Sequence, residues 1–396
     1  MEPRTRLGKL LAYFLLLAGS FLFLFPFIWM VSTSLKPIEQ TTKTPPQWIP
    51  LEYHAVLAGE RRPVIKADPL TVPMLVIRID EGPLAGAKQL VGREDYADGK
   101  VKIMTAGQAH WVPATLLKEA PPGWSYVKER RVEAEIDAPA EWDVLPPDQI
   151  EVRQRLFWEN YPVAIQKMGH MPIWIPFLGQ RDVSVFWVYL SNTLVVCILG
   201  VTGTVISSSL VAYSLAKIPW RGRHALFGLT LATMMIPFPV LMVPLYSVFK
   251  AFGWIGTLLP LWVPAFFGTG FNIFLLRQFF LTIPRDLSEA ARIDGCSEFG
   301  IFWRIVLPLS KPALAVVALF HFLWAWNDFM GPLLYLTRQE TFTLSLGLQA
   351  YQSQSGGTDW TSLMAASTLI CLPIIVIFFF TQKTFIRGIA TTGIKG

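Results

Sequence analysis

Long apolar segments constrain this chain more than any other feature of its sequence. A helix of roughly 20 consecutive apolar residues spans the hydrocarbon core of a bilayer. Only 16% of the residues are charged, against about 25% in soluble domains. The apolar segments are Leu10–Ser32, Phe186–Ala216, Ala225–Phe249, Leu258–Phe280, Pro312–Leu336 and Ser362–Thr381. We therefore predict an all-α integral membrane protein with six transmembrane helices.

The first apolar segment follows a short basic stretch, as the apolar region of a signal peptide also does. It is too long for a signal peptide, and it ends in Phe, Trp and Met rather than in the small residues of a cleavage site. We predict that it is an uncleaved membrane anchor.

The basic residues of the short loops predict how the chain crosses the membrane, because cytoplasmic loops are enriched in Lys and Arg. Such residues follow the second and sixth segments, and others lie in the last turn of the fourth segment and between the fourth and fifth: Lys217, Arg221, Arg223, Arg277, Arg285, Arg292, Arg304, Lys311, Lys383, Arg387 and Lys395. The loops on the opposite side contain few basic residues beyond Lys250 and Arg338. Both termini are therefore predicted to be cytoplasmic, and 37–185 extracytoplasmic.

Segment 37–185 is far longer than a simple connection between two spans. Leu75–Asp80 and Val132–Asp137 alternate apolar and charged residues, the period of a half-buried strand. Asp98-Gly99 predicts a tight turn before a further strand at Lys100–Met104. We predict a β-rich extracytoplasmic domain over about 51–160, inserted between helices 1 and 2.

Residues 285–308, between the fourth and fifth segments, form the most informative loop. Ser288 and Glu289 suit the first turn of a helix, and Gly295 suits a positive φ at its end. Apolar residues beyond Gly295 recur at three- and four-residue spacing and predict one apolar helix face: Phe299, Phe302, Ile305 and Val306. An amphipathic helix pair at a membrane boundary predicts a docking surface for a partner protein. The alternative is a helix that lies on the lipid surface.

This loop resembles the EAA loop of ABC importer permeases, whose pattern is E-A-A, three residues, Gly, nine residues, I-x-L-P. The matching residues are Glu289, Ala290, Ala291, Gly295, Ile305, Leu307 and Pro308. Other segments resemble the carbohydrate (maltose-type) branch: Asn192–Leu194, Ala212–Ala216, Pro219–Gly222, Met235–Pro237, Pro244–Tyr246, Trp326–Phe329 and Arg387–Gly396. The resemblance covers 1–36 and 160–396 and fails over about 51–160.

The resemblance implies the type I ABC importer permease fold and alternating access in the prokaryotic cytoplasmic (inner) membrane. In that family the loop is a coupling helix that seats in a groove of a cytoplasmic ATPase. Glu289 would be the charged contact, Ala290 and Ala291 the close-packing surface, and Gly295 the turn. The implied partners are ABC ATPase subunits, a second permease chain, an extracytoplasmic solute-binding protein and membrane lipid. A heterodimer of permease chains is more typical of this branch, and a homodimer is the alternative.

The predicted spans divide the chain into three parts. Residues 1–36 hold the cytoplasmic N-terminus and helix 1, 37–185 hold the extracytoplasmic segment, and 186–396 hold the permease core with helices 2–6. The solute is predicted to be a sugar or an oligosaccharide. The alternatives are a polyol or glycerol-phosphate importer and a membrane-anchored sensor. A sensor needs one or two spans and a signalling domain, and the sequence pattern fits neither requirement.

Motifs for catalysis are missing from the sequence. Neither Gly-Lys pair, at Gly8-Lys9 and Gly99-Lys100, is followed by Ser or Thr, so there is no Walker A loop. There is no H-E-x-x-H or G-x-S-x-G motif, and three scattered cysteines indicate neither a disulfide framework nor a metal site. The net charge of +6 lies beside the apolar segments and does not indicate nucleic-acid binding. We predict a translocation subunit without enzyme activity, cofactor or metal, served by an ATPase on another chain.

Polar residues inside predicted spans are candidates for function, because they are costly to place in a bilayer. Asn327 and Asp328 in the fifth segment are predicted to line the substrate path, and His321 is a weaker candidate. The alternative is a helix–helix hydrogen bond or, for Asp328, a position close enough to the outer interface to be in contact with water. Prolines in the third segment are predicted to kink or interrupt it: Pro237, Pro239 and Pro244.

Overall fold

The computed structural model describes residues 6–82, 84–105, 108–130, 141–175, 179–353 and 357–390. The chain separates into two compact units, Leu35–Trp158 and Met1–Ser34 with Glu159–Gly396. We call the first the β unit and the second the helical unit. The helices in chain order are α1 (Arg6–Ser34), α2 (Ile38–Thr41), α3 (Asn160–Lys167), α4 (Val185–Lys217), α5 (Arg223–Thr233), α6 (Phe238–Ala251), α7 (Leu259–Trp262), α8 (Gly270–Thr282), α9 (Arg285–Ile293), α10 (Glu298–Ile301), α11 (Leu307–Leu309), α12 (Lys311–Asn327), α13 (Met330–Tyr335), α14 (Leu344–Gly347) and α15 (Trp360–Ala390).

Among the described residues, four helical segments are long and apolar enough to cross a membrane: Gly8–Ser34, Val185–Lys217, Leu259–Thr282 and Trp360–Gln382. Two bent pairs bring the number to six if each pair counts as one span. The pair α5 and α6 is bent by 99°, and Glu298–Leu309 is bent by 79° against α12. The six predicted spans are therefore all represented only if each bent pair is counted as one span, and four are represented if the bent pairs are left out.

Proline accounts for the bend in the third predicted span. Pro237 precedes α6 in an extended conformation, with φ −69° and ψ 138°. Proline lacks a backbone N–H and disfavours helical backbone in the residue before it, so a helix that approaches it must end. The predicted interruption of this span is confirmed, while Pro244 lies inside α6.

The fifth predicted span, Pro312–Leu336, is not one helix. Helix α12 ends at Asn327, and Asp328 has an extended backbone. The Asp328 carboxylate accepts a hydrogen bond from the backbone N–H of Gly331 at 3.0 Å, at the start of α13. A side-chain acceptor of this kind stabilises a helix start, which explains why a new helix begins here.

Small residues on α4 allow close packing in the helical unit. A Cβ added at Gly203 would lie 2.4 Å from the Phe266 ring, and one at Gly200 would lie 2.7 Å from the His321 ring of α12. Asn272 of α8 donates to the hydroxyl of Thr204 at 3.1 Å. Glycines and hydroxyls are the residues that bring membrane helices together. They make α4 the helix against which α8 and α12 pack.

The β unit contains two five-stranded antiparallel sheets. Their strands are β1 (Leu51–Leu57), β2 (Glu60–Pro69), β3 (Met74–Ile79), β4 (Lys88–Gly92), β5 (Tyr96–Ala97), β6 (Lys100–Thr105), β7 (Gln108–Ala120), β8 (Ser125–Glu129), β9 (Trp142–Leu145) and β10 (Glu151–Gln154). The strand orders are β10-β1-β2-β8-β9 and β4-β3-β7-β6-β5. The unit has its own apolar clusters, in which Val64, Ile77, Val101, Val127 and Val144 are fully buried.

Two predicted strands agree with the structure, since Leu75–Asp80 overlaps β3 and Lys100–Met104 lies in β6. The predicted turn between β5 and β6 is also present. Asp98 has φ 49° and Gly99 has φ 71°, the positive pair of a two-residue hairpin turn. The third predicted strand, Val132–Asp137, lies outside the described residues.

Further strands lie in the helical unit. These are β11 (His170–Ile175) and β12 (Gly179–Ser184), which form a hairpin before α4, and the short pair β13 (Gln352–Ser353) and β14 (Gly357–Thr358). Lys167 at the end of α3 forms an ion pair with Asp359, at 2.8 Å, just before α15. Burial disfavours the charged carboxylate, but hydrogen bonds from Lys167 and Ser362 outweigh it and lower the pKa of Asp359.

Candidate functional site

The loop 285–308 begins with α9, whose end is closed by a glycine. Gly295 has φ +80°. Its N–H donates to the carbonyl of Arg292 at 3.0 Å, and the N–H of Cys296 donates to the carbonyl of Ala291 at 2.8 Å. This pair of bonds is the Schellman motif, in which a left-handed residue satisfies the last carbonyls of a helix. The predicted role of Gly295 as the turn therefore has a structural basis.

The second part of the loop restarts the helix. The Ser297 hydroxyl accepts from the N–H of Gly300 at 3.2 Å and caps α10. Residues 302–306 form one turn of π-helix, and the N–H of Leu307 donates to the carbonyl of Phe302. Pro308 has no N–H to donate, so a regular α-helical ladder cannot continue through it. Single π turns of this kind are frequent at functional sites.

The residues of the EAA pattern divide into exposed and packed positions. Glu289, Ala290, Gly295 and Pro308 are exposed. Three others pack against a buried cluster that includes Phe280, Phe302 and Val306: Ala291, Ile305 and Leu307. The packed residues hold the loop to the ends of α4 and α8, while the exposed residues remain available to a partner.

The predicted apolar face of the second helix is wrong in one member. Phe302 and Val306 are buried, but 66% of the Phe299 surface is exposed. Phe299 instead stacks on Trp303, which is 62% exposed, with ring centroids 6.3 Å apart. The π turn after Ile301 adds a residue to the helical repeat and changes which side chains share a face.

An ion pair that the sequence analysis did not single out ties the loop to α4. Arg292 donates to Glu298 at 2.7 Å across the Gly295 turn, and the Tyr213 hydroxyl of α4 donates to the other oxygen of Glu298 at 2.8 Å. The hydrogen bond to Glu298 raises the pKa of the Arg292 guanidinium. In the sequence, the signal for this ion pair is an arginine and a glutamate six residues apart on either side of a glycine turn.

The three polar candidates of the fifth segment lie in different environments. Asn327 is exposed and donates to the carbonyl of Leu323 at 2.7 Å. Asp328 is partly buried and accepts the hydrogen bond from Gly331 in the first turn of α13. His321 is buried against Gly200 and lies apart from the exposed Asn327. Within the residues that the structure describes, no group of His, Cys, Asp and Glu is arranged to hold a metal ion.

Comparison with known proteins places these elements in a family. Residues 181–391 match the profile of the family described as "Binding-protein-dependent transport system inner membrane component". The chain belongs to this family. It is the permease of a binding-protein-dependent importer, and the matched region contains α4 through α15 with the loop 285–308. The match does not extend to the ten strands of the β unit.

Several relatives are permeases of known systems. The chain is 36% identical to the arabinooligosaccharides transport system permease protein AraQ of Halalkalibacterium halodurans over 54% of this chain and 76% of the relative. It is 34% identical to the trehalose/maltose transport system permease protein MalG of Thermococcus litoralis over 53% of this chain and 76% of the relative. It is 32% identical to the osmoprotective compounds uptake permease protein GgtD of Synechocystis sp. over 61% of this chain and 95% of the relative.

Among solved structures, the chain is similar to a bacterial ABC transporter involved in the import of the acidic polysaccharide alginate. The identity is 23%, the TM-score is 0.49, and the similarity covers 61% of this chain and 81% of that chain.

The turn at Gly295 can be tested by two substitutions. Gly295→Val places a β-branched residue at φ +80°, which costs about 1–3 kcal/mol because its Cβ clashes in the left-handed region. We expect the amides of Gly295 and Cys296 to lose protection from hydrogen exchange, measured by mass spectrometry. Gly295→Asn is the matched control and should keep that protection, since Asn tolerates the left-handed conformation. Equal protection in all three proteins would show that this turn does not need a glycine.

Proposed function

We propose that this permease imports a sugar or an oligosaccharide and that the loop 285–308 couples it to an ATPase on separate chains. The observation that carries the coupling proposal is the exposed part of the loop. It presents Glu289 and Ala290 to solvent, and three large apolar side chains of the same loop are also exposed: Ile293 (87% exposed), Phe299 (66%) and Trp303 (62%). We call these five residues the exposed loop face.

The composition of the exposed loop face suits a protein partner. Glu289 and Ile293 lie four residues apart and therefore share one side of α9. Aromatic anchors surrounded by polar groups are typical of interface hot spots, and an acidic residue adds electrostatic specificity. A helix that lies on lipid would direct its apolar residues to the membrane and its charged residues away from it. Glu289 instead lies on the side of α9 that carries Ile293, and an acid on the apolar side of a helix favours a protein groove.

The contacts behind the exposed loop face provide a route for coupling. A force on α9 reaches Glu298 through Arg292, and Glu298 holds Tyr213 of α4. Lys217 at the end of α4 also donates to the carbonyl of Ile283, just before α9, at 2.6 Å. Because α4 packs closely on α8 and α12, a shift of the loop would move several membrane helices together. Rigid-body movement of packed helices is a common means of switching.

The rest of the assembly follows from the family and the loop charges. We propose the type I importer permease fold, in which binding of ATP and its hydrolysis alternate the permease pair between outward and inward states. A second permease chain forms a heterodimer with this one, and an extracytoplasmic binding protein delivers the solute. Both termini and the loop 285–308 are cytoplasmic, because basic residues cluster there. Asn327 and Asp328 are retained as candidates for the substrate path.

The proposal of a carbohydrate solute is supported by the names of the relatives, several of which are permeases for oligosaccharides or disaccharides. A polyol or glycerol-phosphate importer remains the second candidate, since one relative takes up osmoprotective compounds. Binding of candidate solutes by the partner binding protein would separate the two classes.

Charge reversal at Glu289 tests the coupling proposal. Glu289→Lys should leave the permease in the membrane but lower solute uptake about tenfold or more, since like-charge juxtaposition across an interface costs several kcal/mol. Co-purification of the ATPase and uptake of labelled solute are measured together. Glu340→Lys is the control, because Glu340 is exposed and lies on the loop after α13. Normal uptake and normal ATPase recovery in Glu289→Lys would rule out this role for Glu289.

We also propose that the β unit folds by itself outside the cytoplasm. It contains all ten strands β1 to β10 and so corresponds to the predicted domain of about 51–160. Outside the cytoplasm it contacts the binding protein or the outer loops of the partner permease, and the alternative is a spacer. Two observations support independent folding. The unit has its own buried clusters, and its first and last strands pair, with Leu51 opposite Gln154. Paired antiparallel residues lie about 5 Å apart, so the two ends of the unit meet.

Removal of the β unit separates these two roles. Because Leu51 and Gln154 are paired, a short Gly/Ser linker can join the flanking chain without strain. We expect the shortened permease to insert and to bind the ATPase normally, but to respond less to the loaded binding protein. The measurement is the stimulation of ATP hydrolysis by that protein in proteoliposomes. Full stimulation and full uptake after the replacement would establish the spacer role instead.

A further inference from the structure

A cavity of about 150 Å³ lies where the end of α4 meets α9. Four of the side chains that line it are basic and one is acidic, in addition to a serine: Lys217, Arg223, Arg285, Arg292, Glu289 and Ser288. Four positive charges and one negative charge leave a net charge of +3 on the lining (4 − 1). Such an excess in a small cavity attracts anions.

The positive charges of this cavity are poorly compensated. Arg292 pairs with Glu298 at 2.7 Å. Within the described ranges, no carboxylate lies in ion-pair distance of Lys217, Arg223 or Arg285. Lys217 donates to the carbonyl of Ile283 at 2.6 Å, and Arg223 donates to the carbonyl of Ile218 at 3.3 Å. These bonds orient the two cations but do not neutralise them.

Ser288 provides a second, independent observation. It lines the same cavity and is only 3% exposed. In the part of the chain that the structure describes, its hydroxyl has no hydrogen-bond partner. A buried hydroxyl without a partner is costly, and buried polar groups normally have one. A ligand oxygen in the cavity would provide that partner.

We propose that this cavity binds a phosphate group. A phosphate offers several acceptor oxygens with negative charge, which can accept from a guanidinium fork, an ammonium and a hydroxyl at once. A single carboxylate would satisfy fewer of the donors that converge here. The proposal concerns binding alone and does not depend on the coupling role of Glu289.

The position of the cavity suggests two sources of phosphate. Lys217 ends a candidate membrane span, and α5 begins at Arg223 with the exposed apolar residues Leu226 and Leu229. A basic site at the border of an apolar helix is where the headgroup of an anionic phospholipid lies. A soluble phosphate compound has the same chemistry, so the test must include both.

The experiment uses the purified full-length permease with two probes. Phosphatidylglycerol and phosphatidylcholine, supplied in nanodiscs, are compared for the lipid that stays bound in native mass spectrometry. Binding of inorganic phosphate is titrated separately by calorimetry. Ser288→Ala and Arg223→Gln are tested against the matched control Arg221→Gln, whose side chain is exposed and does not line the cavity. Gel filtration and thermal unfolding report whether each variant is folded.

We expect the wild type and Arg221→Gln to bind at least one probe alike. Arg223→Gln should weaken that binding about tenfold or more, and Ser288→Ala should weaken it several-fold without any change of charge. Retention of phosphatidylglycerol alone identifies a lipid site, and binding of inorganic phosphate identifies a soluble ligand.

Three results would overturn the proposal. The first is that neither probe binds the wild type. The second is that Arg221→Gln and Arg223→Gln weaken binding equally, since general surface charge would then explain it. The third is that Arg223→Gln and Ser288→Ala both bind the probe as tightly as the wild type does, since the cavity would then not be the binding site.

Discussion

The packing of α4 is the interaction on which the rest of the helical unit depends. Gly200 and Gly203 leave room for the rings of His321 and Phe266, which no larger residue would permit without a shift. Ser207 donates to the carbonyl of Ala265 at 2.9 Å, so the segment before α8 is bonded to the same helix. In a bilayer apolar burial does not drive helices together, and close contact with hydrogen bonding must do so. The last turns of α4 then carry the loop 285–308 through Tyr213 and Lys217.

The membrane spans and the loop 285–308 expose different kinds of side chain. The spans present large apolar side chains such as Phe23 (85% exposed) and Leu17 (71%), as a surface that faces lipid must. The loop 285–308 exposes the carboxylate of Glu289, the small side chain of Ala290 and the stacked rings of Phe299 and Trp303. The Schellman turn at Gly295 joins its two helices, and Glu298 bonds to both Arg292 of α9 and Tyr213 of α4. A rigid loop can transmit a push from a partner to α4, whereas a flexible loop would absorb it.

Much of this could be predicted from the sequence, because span length and the EAA spacing are local patterns. The positive φ at Gly295 and the hairpin at Asp98-Gly99 were also predictable from residue type. The break after Asn327 was not, since a helix stop there depends on the Asp328 side chain folding back onto Gly331. A regular repeat places Phe299 on one apolar face with Phe302, Ile305 and Val306, and the π turn breaks that repeat. The bond from Tyr213 to Glu298 joins residues 85 positions apart, which one sequence without an alignment does not show.

Photo-crosslinking from the exposed loop face tests the central claim most directly. A photoreactive phenylalanine analogue replaces Ile293, whose side chain is 87% exposed, in the importer assembled in native membranes. The same analogue at Phe379, which is 62% exposed on α15, serves as the control. The coupling role predicts a crosslink from position 293 to the ATPase subunit and none from position 379. Crosslinks from position 293 to lipid alone, in membranes that contain the ATPase and support uptake, would contradict it.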